Sequence, residues 1–154
     1  MAITYSRNYE LNITEHARER WQERIVDPKR YSHLSNCHIS SCETCVSLAH
    51  NIRNILTNTR RQIDGRIAAA YKAAKEANNK VTDVNFLKAM EQQHGDLTPY
   101  NFYLSLSGDA VFMTKMEGDR NVLVTIMSRD MIEGTTLRSL TRFKNESLLV
   151  YNRR

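Results

Sequence analysis

The chain has 154 residues, of which 41% are hydrophobic and 25% are charged. This length is enough for a hydrophobic core without disulfides, and the composition excludes a largely disordered chain, so we expect residues 1–154 to form a single domain. The sequence contains no run of about eighteen apolar residues, so no membrane span is predicted. Residues 1–7 lack the apolar stretch of a secretory signal. The net charge of +5 favours a polyanionic partner.

The first predicted elements are a short strand and a helix. Residues 3–13 alternate weakly between apolar and polar side chains, which predicts a strand within this stretch. Thr14 is placed to cap a helix, and Ala17, Trp21 and Ile25 follow it at four-residue steps. We therefore expect a helix from about 15 to 26, which Pro28 prevents from continuing.

The cysteines and most histidines are concentrated in one segment. All three cysteines and three of the five histidines lie within residues 33–50. Thiolates and imidazoles at these separations are typical of a tetrahedral Zn²⁺ site, in which Cys42 and Cys45 grip one side of the metal. Three cysteines are an odd number, which argues against a disulfide framework and favours a reducing cytoplasm. The alternative is a chance cluster of free thiols and surface histidines.

The spacing ranks the ligands of this predicted site. We expect Cys37, Cys42 and Cys45 to bind the metal, with His33 as the fourth ligand because a single turn bridges it to Cys37. The alternatives for the fourth ligand are His38, adjacent to Cys37, and His50, on a different face of the next helix. Four protein ligands leave no open position, so the zinc is predicted to be structural and to fix an otherwise loop-like segment.

The strongest periodic pattern of the chain follows the cysteines. Apolar residues recur at three- and four-residue steps and predict a long amphipathic helix from about 44 to 77, with a bend or break near Gly65. Its leftover apolar positions could serve a homodimer or a partner protein. Thr82 or Asp83 is predicted to cap a shorter helix that ends at Gly95.

The pattern changes to strands after Pro99. We predict strands at 100–107, 110–116 and 121–128, the last two joined by a turn in which Gly118 takes a positive φ. Residues 135–143 fit a helix or a strand, and residues 147–151 fit a final strand. Helices followed by an antiparallel meander predict an α+β fold, in which N-terminal helices pack on a C-terminal sheet.

One face of the first helix carries residues suited to RNA chemistry. His16, Arg20 and Arg24 are spaced so that an imidazole and two guanidiniums point the same way. Such a set can cleave RNA without metal, since a base deprotonates the 2′-hydroxyl and cations stabilise the phosphorane. The simpler alternative is a histidine that packs or caps the helix and solvated arginines beside acidic residues of the same helix.

The same stretch carries a family resemblance. Residues 13–25 read ITEHARERWQERI, which resembles the H-A-x-x-R-x-x-x-R opening of RelE-like proteins of the barnase–colicin–RelE ribonuclease superfamily. The strand block 101–129 is similar to the sheet of that superfamily, and the chain also resembles RegB-type phage endoribonucleases in length and in this element. The match covers about a third of the chain and gives no equivalent of the second RegB histidine.

The resemblance implies roles for individual residues. It makes His16 the general base or acid and Arg20 a phosphate ligand. Polar residues of the sheet that would join them are drawn from Tyr103, Lys115, Thr125 and Arg129.

Two functions are therefore expected from the sequence. The first is an RNA-binding, metal-independent endoribonuclease of phage or toxin type, which leaves 2′,3′-cyclic phosphate ends. The alternative is a non-catalytic phage protein with a structural zinc site that binds and inhibits a host enzyme or defence complex. Either function places the protein in the cytoplasm, that of the host cell if the protein is encoded by a phage.

Overall fold

The computed structural model describes residues 11–37 and 39–133 and has the predicted α+β architecture. The helices are α1 Glu15–Trp21, α2 Pro28–Asn36, α3 Glu43–Glu76, α4 Val84–His94 and α5 Asp130–Glu133. The strands are β1 Asn12–Ile13, β2 Tyr100–Leu104, β3 Ala110–Glu117 and β4 Arg120–Ser128. None of the helices in this part of the chain combines the length and apolar character that crossing a membrane requires.

The strands form one sheet in the order β1-β4-β3-β2. The pairs β2–β3 and β3–β4 are antiparallel, as the predicted meander requires, and Gly118 takes a φ of 67° in the turn between β3 and β4. The short β1 adds to the other edge in parallel, with Asn12 opposite Val122. The register of β3 and β4 shifts between Met113 and Thr114, a local irregularity of the β-bulge kind.

The sheet is buried on both faces. One cluster of buried residues joins α1 and α3 to the sheet through side chains that include Leu56, Ile67 and Phe112. A second cluster joins α4 to the sheet through side chains that include Phe86 and Met113. Because successive side chains of a strand point to opposite faces, β2 contributes Tyr103 to the first cluster and Phe102 to the second.

The start of α1 is fastened to the sheet by Thr14. The Thr14 hydroxyl accepts a hydrogen bond from the Ala17 backbone N–H at 3.1 Å and donates one to the Leu123 carbonyl at 2.8 Å. After Trp21 the predicted helix continues as a π-helical turn over Gln22–Val26. A π turn changes the helical phase, so Arg20 and Arg24 do not keep the α-helical relation that their spacing predicts.

The long helix α3 agrees with its predicted bounds but bends elsewhere. The predicted break near Gly65 is wrong, because the backbone leaves helical geometry at Thr59, with φ −128° and ψ 20°. The Thr59 hydroxyl donates to the Ile55 carbonyl at 2.7 Å, and such back-bonding is a known cause of helix bending. The neighbouring helix α4 is capped by the Asp83 carboxylate, which accepts from the Phe86 N–H at 2.8 Å, and ends at Gly95.

The segment before α3 differs most from the prediction. The Cys/His segment was expected to be loop-like up to the long helix, but its first residues from His33 belong to the helix α2, which begins at Pro28 and buries the ring of Tyr31. The Tyr31 hydroxyl donates to the Asn51 side-chain carbonyl of α3 and so ties the two helices together. The predictions for residues 3–10, His38, 135–143 and 147–151 lie outside the described residues.

The fully buried Leu56 provides a test of this packing. We expect Leu56→Ala to lower the free energy of unfolding by about 2–5 kcal/mol, because it leaves a cavity in the core cluster that joins α1 and α3 to the sheet. Urea denaturation followed by circular dichroism measures the change. The matched control is Leu106→Ala, whose side chain is 63% exposed and which we expect to change stability by less than about 0.5 kcal/mol. Equal losses in the two variants would contradict the assignment of α3 to the core.

Candidate metal centre

The cysteines and His33 meet where α2 ends and α3 begins. His33 lies in the last turn of α2, and the Cys37 backbone N–H closes that helix by donating to the His33 carbonyl at 2.9 Å. Cys42 is the residue before α3, and Cys45 lies in the first turn of α3. The Cys42 carbonyl accepts from the Val46 N–H at 3.1 Å, which fixes the turn between the two cysteines. Two helix ends therefore present four donor atoms to one point.

The distances fit a group that can hold a metal ion. One ligand atom from each of His33, Cys37, Cys42 and Cys45 lies within 4.8 Å of the other three. His33 Nε2 is 3.2 Å from Cys42 Sγ. Tetrahedral coordination with metal–sulfur bonds of about 2.3 Å separates ligand atoms by roughly 3.8 Å, so small movements are enough to close the group around an ion.

The surroundings shift the pKa values of two of the thiols in opposite directions. The hydrogen bond with His33, aided by a backbone hydrogen bond, lowers the pKa of Cys42 to about 6 and favours its thiolate. Burial raises the pKa of Cys45 to about 11, with a contribution from the neighbouring Cys42. A cation at this position opposes the effect of burial, because thiols bind metal as thiolates.

The structure brings together the four residues that the sequence ranked first as ligands. His50 lies on an exposed part of α3 and does not belong to the group, and His38 is outside the described residues. The helical geometry of α2 explains the role of His33, since a residue four positions before Cys37 lies one turn away.

A cavity of about 300 Å³ adjoins the group between α1 and α3. Its lining includes the sulfur-bearing residues Cys42 and Cys45 together with Arg20 and Glu23. Arg20 Nη1 donates to Glu23 Oε1 at 2.6 Å, and both side chains are at least nine-tenths buried. Arg20, predicted as a phosphate ligand, thus forms a buried ion pair next to the candidate metal centre.

The other predicted catalytic residues are dispersed. His16 is half-buried in the first turn of α1, and Arg24 donates from Nη1 to the Ile126 carbonyl at 2.9 Å, with Nε 3.8 Å from Glu23. Tyr103 is buried in the core, where its ring meets that of Tyr71 edge-on.

The remaining sheet residues also have separate positions. Arg129 is exposed just beyond β4, Lys115 lies over the Tyr100 ring at 5.5 Å, and Thr125 is half-buried in β4.

A second cavity, of about 660 Å³, lies between α3 and the edge of the sheet formed by β1 and β4. Its charged lining includes Arg18, Asp64 and Arg120. Arg18 binds Asp64 with Nε–Oδ1 and Nη2–Oδ2 distances of 2.6 and 3.0 Å, and this contact raises the pKa of the guanidinium. Neither cavity is lined by His16, Tyr103 or Arg129.

Sequence reasoning missed the partners of the arginines. Glu23 follows Arg20 by three residues, a spacing that places two side chains on neighbouring parts of a helix surface. This spacing is equally compatible with an ion pair exposed to solvent, so it did not predict the buried pair. The pairing of Arg18 with Asp64 spans 46 residues and has no local signal in the sequence.

No protein-family profile, curated protein or solved structure matches this chain significantly. The resemblance to RelE-like proteins therefore rests on the short motifs of the sequence alone.

Proposed function

We propose that this protein binds RNA and that a structural zinc ion holds the RNA-binding helix in place. The donor set of three thiols and one imidazole is typical of Zn²⁺, and four protein ligands leave no open position for a substrate. The observation that carries the proposal is the position of this site, at the start of a long helix whose exposed charges between its acidic end residues Glu43 and Glu76 are basic.

The zinc centre is proposed to connect α2 to α3. His33 and Cys37 come from the end of α2, whereas Cys42 and Cys45 come from the start of α3. Ile39, in the connection between α2 and α3, has an exposed side chain and so does not stabilise the connection by burial in the core. A metal ion bound by all four ligands would therefore stabilise this connection in place of apolar packing.

Metal content and thermal stability test the zinc centre. We expect purified protein to carry about one equivalent of zinc and to lose thermal stability when EDTA removes the ion. Cys42→Ser should abolish zinc retention, because it removes a thiolate ligand. His50→Ala is the control, since His50 lies outside the group, and should retain zinc. Less than about half an equivalent in folded wild type would contradict the proposal.

The RNA-binding surface is proposed to be the exposed side of α3. Every exposed charged side chain of α3 between residues 44 and 75 is basic: Arg53, Arg60, Arg61, Arg66, Lys72 and Lys75. The one carboxylate in this stretch, Asp64, is half-buried and bound by Arg18. From Arg53 to Lys75 the helix extends over about 30 Å, so a nucleic acid can meet several of these cations at once.

Part of this charge is neutralised within the protein. Arg60 lies 2.9 Å from Glu15, and Lys72 lies 3.8 Å from Glu76 at the end of the helix. Such exposed pairs contribute little energy and exchange readily for phosphate contacts. The sequence resemblance to a ribonuclease superfamily favours RNA over DNA as the polyanion.

The salt dependence of RNA binding tests this surface. We expect fluorescently labelled RNA to bind with an affinity that falls steeply with salt, since bound phosphates release counterions. Arg61→Gln should weaken binding and reduce the slope of log K against log salt by about 1. Lys88→Gln removes one exposed charge from α4 on the other side of the sheet and should change neither quantity. A DNA oligonucleotide of the same sequence tests the preference for RNA.

Absence of salt-dependent RNA binding by the zinc-loaded protein would contradict this proposal and favour the host-protein alternative. The described structure offers that alternative the exposed Ile39 and Val46 beside the metal group. Val46 is also the exposed large hydrophobic side chain of α3 available for a homodimer, because the other large apolar positions of this helix are buried or half-buried.

Cleavage is a separate question from binding. We expect the wild-type protein to leave RNA intact in EDTA, because Arg20 is bound by Glu23 and Arg24 by the Ile126 carbonyl. Gel analysis of varied RNAs measures this, with a heat-treated sample as the blank. Cleavage that leaves 2′,3′-cyclic phosphate ends and disappears in His16→Ala would contradict the expectation and establish the ribonuclease activity implied by the resemblance.

A further inference from the structure

A glycine in the second half of α3 is not explained by the packing of the domain. Gly65 keeps a helical backbone, and the kink of this helix lies elsewhere. A Cβ at this position would meet no atom of another element within 4 Å, so no neighbour requires the side chain to be missing. Glycine inside a helix is less favourable than alanine, and close approach of a ligand to the backbone is one condition that favours it.

Gly65 lines the cavity between α3 and the β1–β4 edge of the sheet, which we call the Gly65 cleft. Its volume of about 660 Å³ lies in the range of roughly 300–1,000 Å³ that is typical of small-ligand sites. One exposed arginine comes from each wall, Arg61 from α3 and Arg120 from β4. The apolar lining consists of Leu11, Ile13, Ala68 and Val122.

The two exposed arginines of the cleft remain able to bind an anion. Asp64, one of the two carboxylates in the lining, is already bound by Arg18 at 2.6 and 3.0 Å. The other carboxylate, Glu117, is exposed and forms no ion pair within residues 11–37 and 39–133, and the same is true of both arginines. Arg120 donates to the neutral Asn12 Oδ1 at 3.1 Å.

We propose that the Gly65 cleft holds one nucleotide of single-stranded RNA, with its phosphate between Arg61 and Arg120 and its base against the backbone of α3 at Gly65. This inference rests on the RNA binding proposed above and extends that surface from α3 onto the sheet edge. Guanidiniums bind phosphate through paired hydrogen bonds, and apolar surface beside them suits a base. Single strands are the ligand because their bases can leave the stack and enter a cleft, whereas those of a duplex are paired.

Filling the cleft tests the proposal. Gly65→Leu should weaken binding of fluorescently labelled single-stranded RNA by the zinc-loaded, full-length protein about tenfold, the size expected for losing the contacts of one base. The same variant should not lower the melting temperature, because leucine favours a helix and meets open space. Gly65→Ala is the matched control, since it removes the glycine but adds a single methyl group, and it should bind RNA nearly as wild type does.

The arginine of the opposite wall is tested separately. Arg120→Gln should weaken binding and reduce the slope of log K against log salt by about 1, as the loss of one phosphate contact requires. Lys88→Gln, on α4, again serves as the control for the loss of one exposed charge. Gly65→Leu should weaken binding of duplex RNA less than that of single strands.

The outcomes distinguish the cleft from the RNA-binding function. Wild type that binds no RNA overturns that function, and the inference with it. RNA binding by wild type that is unchanged in Gly65→Leu or in Arg120→Gln overturns the cleft and leaves the α3 surface intact. Equal losses in Gly65→Leu and Gly65→Ala, or for single strands and duplex, also overturn it. If Gly65→Leu does not fold, Arg120→Gln decides, because its side chain is exposed.

Discussion

The packing of α3 against the sheet is the contact on which the rest of the described structure depends. Leu56, Ile63 and Ile67 of this helix are almost completely buried in the cluster that also contains Phe112 and Leu123 of the strands. The same helix carries Cys45 at one end and basic side chains along its outer surface. Once the apolar side is fixed on the sheet, the direction of the first turn is fixed as well, and α2 has to end beside it. The four candidate metal ligands converge because the core positions the helix.

The sequence predicted those elements in which one strong local signal decides the structure. The apolar periodicity of α3, the capping carboxylate of Asp83 and the turn at Gly118 each correspond to a feature of the fold. The helix α2 was missed because it is short and polar, with Tyr31 as its one fully buried ring. The kink was misplaced because glycine propensity was weighed without the hydroxyl of Thr59, which competes for a backbone carbonyl.

The candidate site was predictable in its ligands and not in its charges. Four donors close in sequence meet through local turns, so spacing alone identifies them. Arginines are different, because their long side chains select partners that the fold supplies. Arg18 binds a carboxylate of α3, Arg20 binds Glu23, and Arg24 reaches a carbonyl of β4. Three arginines of one short segment thus bind a distant carboxylate, a carboxylate of the same segment and a backbone carbonyl. Their positions on a helical wheel do not predict these different partners.

The kink at Thr59 has a consequence for how the molecule loses order. Non-helical backbone angles at this residue separate the first half of α3, which carries the candidate ligand Cys45, from the second half. Because helical hydrogen bonds form cooperatively along regular backbone, a kink is where we expect fraying of one half to stop. We therefore expect partial opening around the cysteines to leave the second half folded, because Ile63 and Ile67 hold it in the core.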